Sequence, residues 1–239
     1  MDKTGPDRAP AEPQAGRVLR WLWPSLILLA VAALLLAGHI AEEIAEGDTF
    51  ASDRAVLLAM RTPGDLAQPI GPAWLLQSAI DISALGGFTL LWIFGAAGIG
   101  YLALRRRRAE AAWLGASLIG ASVLDSVLKG VFHRARPDVT PHLVHVSSAS
   151  FPSGHATISA AVYLSLGLML AETDPHRIGR VFLVAFMCLI VVLIGCSRVY
   201  LGVHWPSDVV AGWCIGAVWA LLVFAAMRWL RRRRPLASR

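Results

Sequence analysis

Residues 179–234 read GRVFLVAFMCLIVVLIGCSRVYLGVHWPSDVVAGWCIGAVWALLVFAAMRWLRRRR, and this stretch decides the fold class. Two apolar runs, at 179–200 and 207–229, flank a short polar connection, and four arginines follow the second run. About 20 mostly apolar residues are enough to cross a hydrocarbon core about 30 Å thick. The stretch is therefore predicted to form two membrane-spanning helices joined by a short turn at one membrane face.

The rest of the 239-residue chain repeats this pattern. Four further apolar runs lie at about 21–41, 82–104, 110–132 and 155–172. The chain is 56% hydrophobic and only 16% charged, with a mean hydropathy of +0.59, and this charged fraction is too small for the surface of a soluble domain. We predict an all-α, polytopic membrane protein whose residues 21–230 form one bundle of six transmembrane helices.

The basic residues predict the orientation of the bundle. The arginine blocks at 105–108 and 231–234 directly follow apolar runs, as in cytoplasmic loops of membrane proteins. Both termini are therefore predicted to be cytoplasmic, as a disordered tail over 1–20 and a basic tail over 231–239, in a bacterial inner membrane. A nucleic-acid partner is not expected, because these blocks are not interleaved with aromatic residues on a soluble fold.

The first outer segment, about 42–77, is acidic and receives no functional assignment from its sequence. Its residues 50–61 alternate apolar and charged residues at helical spacing, which predicts an amphipathic helix in the outer interface. Prolines and glycines between 63 and 72 are predicted to break the chain before the second span.

Three polar clusters lie where this topology places the outer face. In the first, Lys129 and Arg136 supply two cations, which suit a phosphate dianion. In the second, Ser153, Gly154 and His155 follow a proline, which predicts a helix beginning there with free N–H groups aimed at an anion.

The third cluster contains Arg198, His204 and Asp208. Asp208 follows His204 by four residues, and a neighbouring carboxylate fixes the tautomer of an imidazole and raises its basicity. Each cluster taken alone also fits an ordinary role, such as a snorkelling lysine, a plain helix start or a capping pair.

Together the clusters resemble the three motifs of the type-2 phosphatidic acid phosphatase superfamily. The patterns K-x6-R-P, P-S-G-H and S-R-x5-H-x3-D match residues 129–137, 152–155 and 197–208, with all eleven specified positions filled in order. The ordered set is far more specific than any one of its parts. The resemblance also covers the six-span layout and implies a membrane enzyme that removes phosphate from a lipid.

The resemblance implies a role for each matching residue. His204 would attack phosphorus and form a phosphohistidine, Asp208 would orient it, and His155 would protonate the leaving oxygen. The phosphoryl group would be held by Lys129, Arg136, Arg198, Ser153 and Gly154. No cofactor and no metal are expected, since three cations stabilise the charge. Because His204 must be neutral and His155 protonated, the expected pH profile is bell-shaped.

Asp125 and three outer histidines lie beside these motifs. Asp125 precedes Lys129 by four residues on the same helix face, so we expect it to pair with or position that lysine. The histidines have no metal-ligand spacing and are expected in loops at the rim of the site: His133, His142 and His145.

Several alternatives remain open from the sequence. The candidate substrate lipids are undecaprenyl pyrophosphate, phosphatidic acid and phosphatidylglycerol phosphate, and the alanine- and arginine-rich composition, which is typical of bacteria, weakly favours the polyprenyl carrier. The same site also suits a phosphotransferase that passes phosphate to a second lipid. A transporter is disfavoured because the charges gather at one face. A metal-dependent hydrolase would use His155, His204 and Asp208 as ligands. The superfamily also includes soluble acid phosphatases and haloperoxidases, against which the six spans argue.

Overall fold

The computed structural model describes residues 14–47 and 51–233. Residues 1–13 of the predicted disordered tail and residues 234–239 of the predicted basic tail lie outside the described residues. So do residues 48–50 of the outer segment.

Eight helices and one small two-stranded sheet make up the described part of the chain. In chain order they are α1 (Gln14–Ala45), α2 (Ala51–Ala59), β1 (Arg61–Thr62), β2 (Asp65–Pro69), α3 (Ala73–Leu85), α4 (Phe88–Leu104), α5 (Arg108–Phe132), α6 (Gly154–Thr173), α7 (Arg177–Tyr200) and α8 (Pro206–Arg233). The two strands pair antiparallel across a turn at Pro63 and Gly64. The all-α fold class is thereby confirmed.

Five of these helices are long and apolar enough to cross a membrane, and the pair α3–α4 makes a sixth span when it is counted as one helix bent by 44°. The chain is therefore a multi-pass membrane protein. Its lipid-facing surface is covered with exposed apolar side chains, among them Leu28, Leu35, Phe94, Phe182 and Leu189. Because a bilayer satisfies no polar backbone group, helices of this length are the form such segments take.

The predicted second span, 82–104, is wrong as a single helix. The helix is interrupted at Gly86 and Gly87, and α3 begins already at Ala73, directly after Pro72. A Cβ atom at Gly86 would collide with the side chain of Ile194 and lie 3.4 Å from the carbonyl oxygen of His155. The two glycines therefore allow α3 to turn and pack against α7 beside the polar clusters.

Helix α6 lies at the centre of the bundle and packs against α5, α7 and α8. Its residues 156–162 are all buried, as expected for a helix that is enclosed on every side. Glycines on α8 allow the close approach, since a Cβ at Gly212 would lie 2.9 Å from Ala156 and one at Gly216 would collide with the Thr157 carbonyl. This contact sets the start of α6 beside the start of α8.

The outer segment folds back onto the bundle instead of lying free in the interface. Helix α2 packs on α8, where Leu57 is fully buried against Trp205 and Val209. The amphipathic helix predicted from residues 50–61 is present, but its inner face carries a buried carboxylate, Asp53, as well as Leu57.

Candidate active site

A cavity of about 310 Å³ opens where the ends of α5 and α7 meet the starts of α6 and α8. We call this the site end of the bundle. Six of the residues predicted from the three motifs line the cavity: Lys129, Arg136, Gly154, His155, Arg198 and His204. The predicted rim residue His145 lines it too, as do Ser83 and Ala84 from the end of α3.

His204 and Asp208 form a buried pair behind the cavity. The connection between α7 and α8 turns at Gly202, whose φ of 73° lies in the left-handed region that favours glycine. His204 Nδ1 then lies 3.4 Å from Asp208 Oδ2, and the two residues are 2% and 0% exposed. With Nδ1–H donated to the carboxylate, Nε2 keeps its lone pair, and His204 is among the residues lining the cavity.

The surroundings of His204 favour its neutral form. Burial lowers the pKa of His204 to about 4; the hydrogen bond and charge of Asp208 oppose this effect, and Arg136 and Arg198 add to it. At neutral pH the imidazole is therefore uncharged and its Nε2 is available as a nucleophile.

Arg136, in the loop that follows α5, is held in place by one backbone carbonyl of that loop and one of the α7–α8 connection. Its Nε donates to the Ser148 carbonyl at 2.8 Å and its Nη1 to the Val203 carbonyl at 2.6 Å. The same Nη1 lies 3.2 Å from His204 Nε2, so one of its N–H groups points to the atom with the free lone pair. Burial lowers the pKa of Arg136, while Asp208 and Asp125 oppose that shift.

Arg198 reaches the same cavity from the last turn of α7. Its Nη1 donates to the Ser83 hydroxyl at 2.7 Å, so the end of α3 fixes one side of the guanidinium. Among the described residues, its Nε and the Ser153 hydroxyl are two of the few buried polar side-chain groups without a hydrogen-bond partner. Unsatisfied buried donors are costly. Arg198 lines the cavity, whereas Ser153 is not among its lining residues.

Lys129 and Asp125 form the ion pair expected from their spacing. Lys129 Nζ lies 2.8 Å from Asp125 Oδ1 and 2.7 Å from Oδ2, with both side chains mostly buried. A Cβ atom at Gly154 would lie 2.8 Å from Lys129 Nζ and 2.9 Å from Asp125 Oδ2. Glycine at this position therefore leaves room for the pair at the start of α6.

At the start of α6, one of the backbone N–H groups predicted to bind an anion is already used inside the protein. Ser153 is fully buried, and its backbone N–H donates to the Asp208 carbonyl at 3.1 Å, so that N–H is already used inside the protein. Gly154 and His155, the first two residues of the helix, line the cavity.

The other two histidines predicted at the rim do not line the cavity. His142 Nε2 lies 2.7 Å from the Pro137 carbonyl, and His133 follows the last residue of α5 in a left-handed conformation.

Sequence reasoning missed a second layer of polar residues behind His204. Arg134, Asp53 and Ser150 contact Asp208 or each other there, and Ser83 contacts Arg198. Arg134 lies inside the first motif, two residues before Arg136, which was a usable signal. Asp53 belongs to the outer segment to which no function was assigned, and nothing in its local sequence indicates its burial.

The described residues offer no ligand set for a metal ion. Among the side chains that the structure describes, no group of three or more His, Cys, Asp or Glu residues is arranged to hold one. His155, His204 and Asp208 therefore do not form the ligand set that the metal-dependent alternative requires.

Comparison with known proteins identifies the family. A sequence profile described as the PAP2 superfamily matches residues 110–232, which contain all three motifs. The chain belongs to the PAP2 superfamily. The lipid A 1-phosphatase of Rhizobium etli is 30% identical over 217 residues, which cover 84% of this chain and 83% of that protein.

Two further matches, one by sequence and one by structure, extend the comparison. Phosphatidylglycerophosphatase B of Bacillus subtilis is 44% identical over 105 residues, which span 42% of this chain and only 50% of that protein. The crystal structure of a transmembrane PAP2 type phosphatidylglycerolphosphate phosphatase from Bacillus subtilis aligns with a TM-score of 0.69 at 31% identity, over 87% of this chain and 98% of that one. The predicted family and the predicted enzyme class, a membrane lipid phosphatase, are confirmed.

Proposed function

We propose that this PAP2 protein hydrolyses a phosphate monoester or pyrophosphate on a membrane lipid, without a metal, through a phosphohistidine on His204. The observation that carries the proposal is the position of His204 between Asp208 at Nδ1 and the cation-lined cavity. The neutral imidazole, with its pKa lowered to about 4, suits the nucleophile of this reaction.

The first step transfers the phosphoryl group to the enzyme. The Nε2 lone pair forms a bond to phosphorus while the bond from phosphorus to the lipid oxygen breaks. His155 gives its proton to that leaving oxygen, and Asp208 stabilises the imidazolium-like phosphohistidine. Phosphoryl oxygens accept hydrogen bonds from Arg136 and Arg198, which replaces the contact of Arg136 with Nε2.

The second step returns the enzyme to its starting state. His155, now neutral, takes a proton from water as the water oxygen attacks phosphorus and the bond to Nε2 breaks. Inorganic phosphate leaves, and both histidines regain their first protonation states. Ser153 and Gly154 complete the cradle for the transferred group, with the Ser153 hydroxyl as the contributing donor since its N–H is used elsewhere.

The distribution of arginines supports a site on the outer, periplasmic face. The blocks at 105–108 and 231–233 lie at the end of the bundle opposite the cavity, as does Arg180. The positive-inside rule places that end in the cytoplasm. A lipid with its tail in the bilayer then presents its phosphate at the depth of the site end.

The experiment measures phosphate release from phosphatidic acid, phosphatidylglycerol phosphate, lipid A and undecaprenyl pyrophosphate, in detergent with a chelator present. We expect release by the wild type, and a loss of at least about a thousandfold in His204→Ala. The matched control is His176→Ala, an exposed histidine at the opposite end. Equal release by His204→Ala and wild type would overturn the mechanism, and the ranking of the lipids identifies the substrate.

A phosphotransferase remains the second candidate, because the same intermediate can pass its phosphate to another lipid. The test adds an acceptor lipid to the same reaction. Phosphate that appears on the acceptor at the expense of inorganic phosphate would identify a transferase, and unchanged phosphate release identifies a hydrolase.

A further inference from the structure

The outer helix α2 delivers a buried carboxylate to the back of the active site. Asp53 is 2% exposed, and its Oδ1 accepts the backbone N–H of Ser207 at 2.8 Å. Its Oδ2 accepts a hydrogen bond from the Ser207 hydroxyl and one from Arg134 Nη2 at 3.2 Å. A carboxylate this deeply buried is held by its partners, since an unpaired one would neutralise or disrupt the fold.

Arg134 joins this carboxylate to the one behind His204. Its Nη1 donates to Asp208 Oδ1 at 2.6 Å, while its Nη2 contacts Asp53. The guanidinium also lies over the Trp205 ring, with its carbon 5.6 Å from the ring centre. Two N–H groups of one rigid fork therefore connect the outer segment to α8.

The Asp208 carboxylate has few ways to move under these contacts. Its Oδ2 accepts the backbone N–H of Trp205 at 3.0 Å and the Ser150 hydroxyl, and faces His204 Nδ1. Its Oδ1 is held by Arg134. Arg134 thus binds Oδ1 of Asp208, the oxygen that does not face His204, and Asp53 fixes the orientation of the Arg134 guanidinium.

We propose that Asp53 and Arg134 are positioning residues of the active site, through which the outer segment holds the Asp208 carboxylate that orients His204. This inference rests on the proposed phosphohistidine mechanism. Neither side chain lines the cavity, so both act through Asp208 and not on the substrate. The proposal gives the segment before α3, outside the residues matched by the family profile, a part in catalysis.

Because Asp53 and Arg134 carry opposite charges, replacing each of them should have an opposite effect on the protonation of His204. His204 is faced by Asp208 from α8, Arg198 from α7, His155 from α6, Lys129 from α5 and Arg136 from the loop. Removing the Arg134 cation leaves Asp208 less neutralised, which favours protonated His204. Removing the Asp53 anion has the opposite effect. The acidic limb of the kcat/KM profile, which reports the free enzyme, should therefore move in opposite directions in the two variants.

The experiment compares Asp53→Asn and Arg134→Gln with the wild type, using phosphate release from phosphatidic acid micelles across pH. For Arg134→Gln we expect kcat to fall about 10- to 100-fold and the acidic limb to rise by about one pH unit. For Asp53→Asn we expect a fall of about 3- to 10-fold and a smaller shift to lower pH. KM should change less than about twofold in both, because neither residue touches substrate.

Matched controls separate these effects from a general loss of charge. Asp65→Asn removes an exposed carboxylate in the same segment, and Arg54→Gln removes an exposed cation next to Asp53. Both should keep wild-type kcat and pH limbs. Arg134→Lys keeps the positive charge but lacks the two-pronged guanidinium group. Its acidic limb should therefore lie at the wild-type pH, while its kcat should stay below the wild-type value. If a single variant does not fold, the Asp53→Asn/Arg134→Gln double variant, which removes the Asp53 charge together with its cation, provides the comparison.

The outcomes distinguish the two proposals. If His204→Ala is inactive while folded Arg134→Gln keeps wild-type kcat and its acidic limb, this inference is overturned and the mechanism stands. A fall in kcat that only follows the folded fraction, with an unmoved limb, also overturns it. If His204→Ala remains active, the mechanism itself fails.

Discussion

The two ends of the helix bundle carry the same charged residue types in different settings. At the site end, Arg136 and Arg198 line a cavity of about 310 Å³, and Arg198 keeps a buried Nε without a partner in the described structure. At the opposite end, a larger cavity of about 560 Å³ contains Arg231, whose Nη1 lies 3.0 Å from Glu172.

The larger of these two cavities is not the one that the motif residues line. The arginine–glutamate contacts of the opposite end are partly exposed pairs, of which each contributes little. At the site end, Asp208 and Asp53 lie behind His204, and Arg198 keeps a buried donor without a partner in the described structure. Burial combined with unused donors, and not volume, marks a phosphate site.

The largest effect is expected at His155, if the site end performs phosphoryl transfer. His155→Gln removes the proton donor, so turnover of a lipid phosphate should fall about 100- to 10,000-fold. The kcat/KM of p-nitrophenyl phosphate, which reports formation of the phosphohistidine, should fall much less than that of the lipid, because nitrophenolate leaves without a proton; kcat should fall on both substrates, because His155 also takes the proton of the attacking water. Steady-state kinetics on both substrates measure the contrast. Equal losses of kcat/KM on the two would assign His155 to phosphate binding instead.

Replacing one arginine at each end of the bundle by glutamine tests directly whether the two ends differ in function. Arg198→Gln removes a buried cation of the cavity wall and should lower kcat/KM about 100- to 1,000-fold, with a similar weakening of inhibition by orthovanadate. Arg180→Gln at the opposite end is the matched control and should change neither. A comparable loss in both variants would show that general charge, and not position, determines activity.

A smaller effect is expected from the pair at the cavity wall. Asp125→Asn leaves Lys129 without its counter-charge, so the lysine should lose its fixed position and activity should fall about tenfold. Gly154→Ala should act on the same pair, because the new Cβ would press on Lys129 Nζ and Asp125. Gly130→Ala, whose Cβ would meet nothing within 4 Å, is the control for alanine in a neighbouring helical position. Unchanged activity in Asp125→Asn would make the pair purely structural.

The motif residues were predictable because their spacing is local. Lys129 and Asp125 lie one helical turn apart, and the apolar runs end near the motifs, so the sequence alone predicts their common face. The break at Gly86 was not predictable from hydropathy, since both helices beside it are apolar. It depends on contacts with Ile194 and His155, which are more than 60 residues away along the chain.

The second layer of the site could not be predicted for the same reason. The 154-residue separation of Asp53 from Ser207 leaves no pattern in either local sequence. The sequence predicts an amphipathic helix in the outer interface here, and the packing of Leu57 against Trp205 and Val209 places the Asp53 face of that helix inward. The burial of Asp53 can be recognised only in the folded structure, where Arg134 lies beside it and forms the ion pair.

The smallest effect should come from the opposite end, where Arg231 joins Glu172 to Glu110 at 3.0 and 3.4 Å. Arg231→Gln removes both contacts, but the arginine is 38% exposed, so the free energy of unfolding should fall by no more than about 1 kcal/mol. Phosphate release should stay within about twofold of the wild type, while thermal unfolding in detergent records the small loss. A loss of activity beyond about tenfold, with folding intact, would contradict the comparison. It would show that charges at both ends act on one process, as expected for a transport pathway through the bundle and not for a phosphatase with its chemistry at one face.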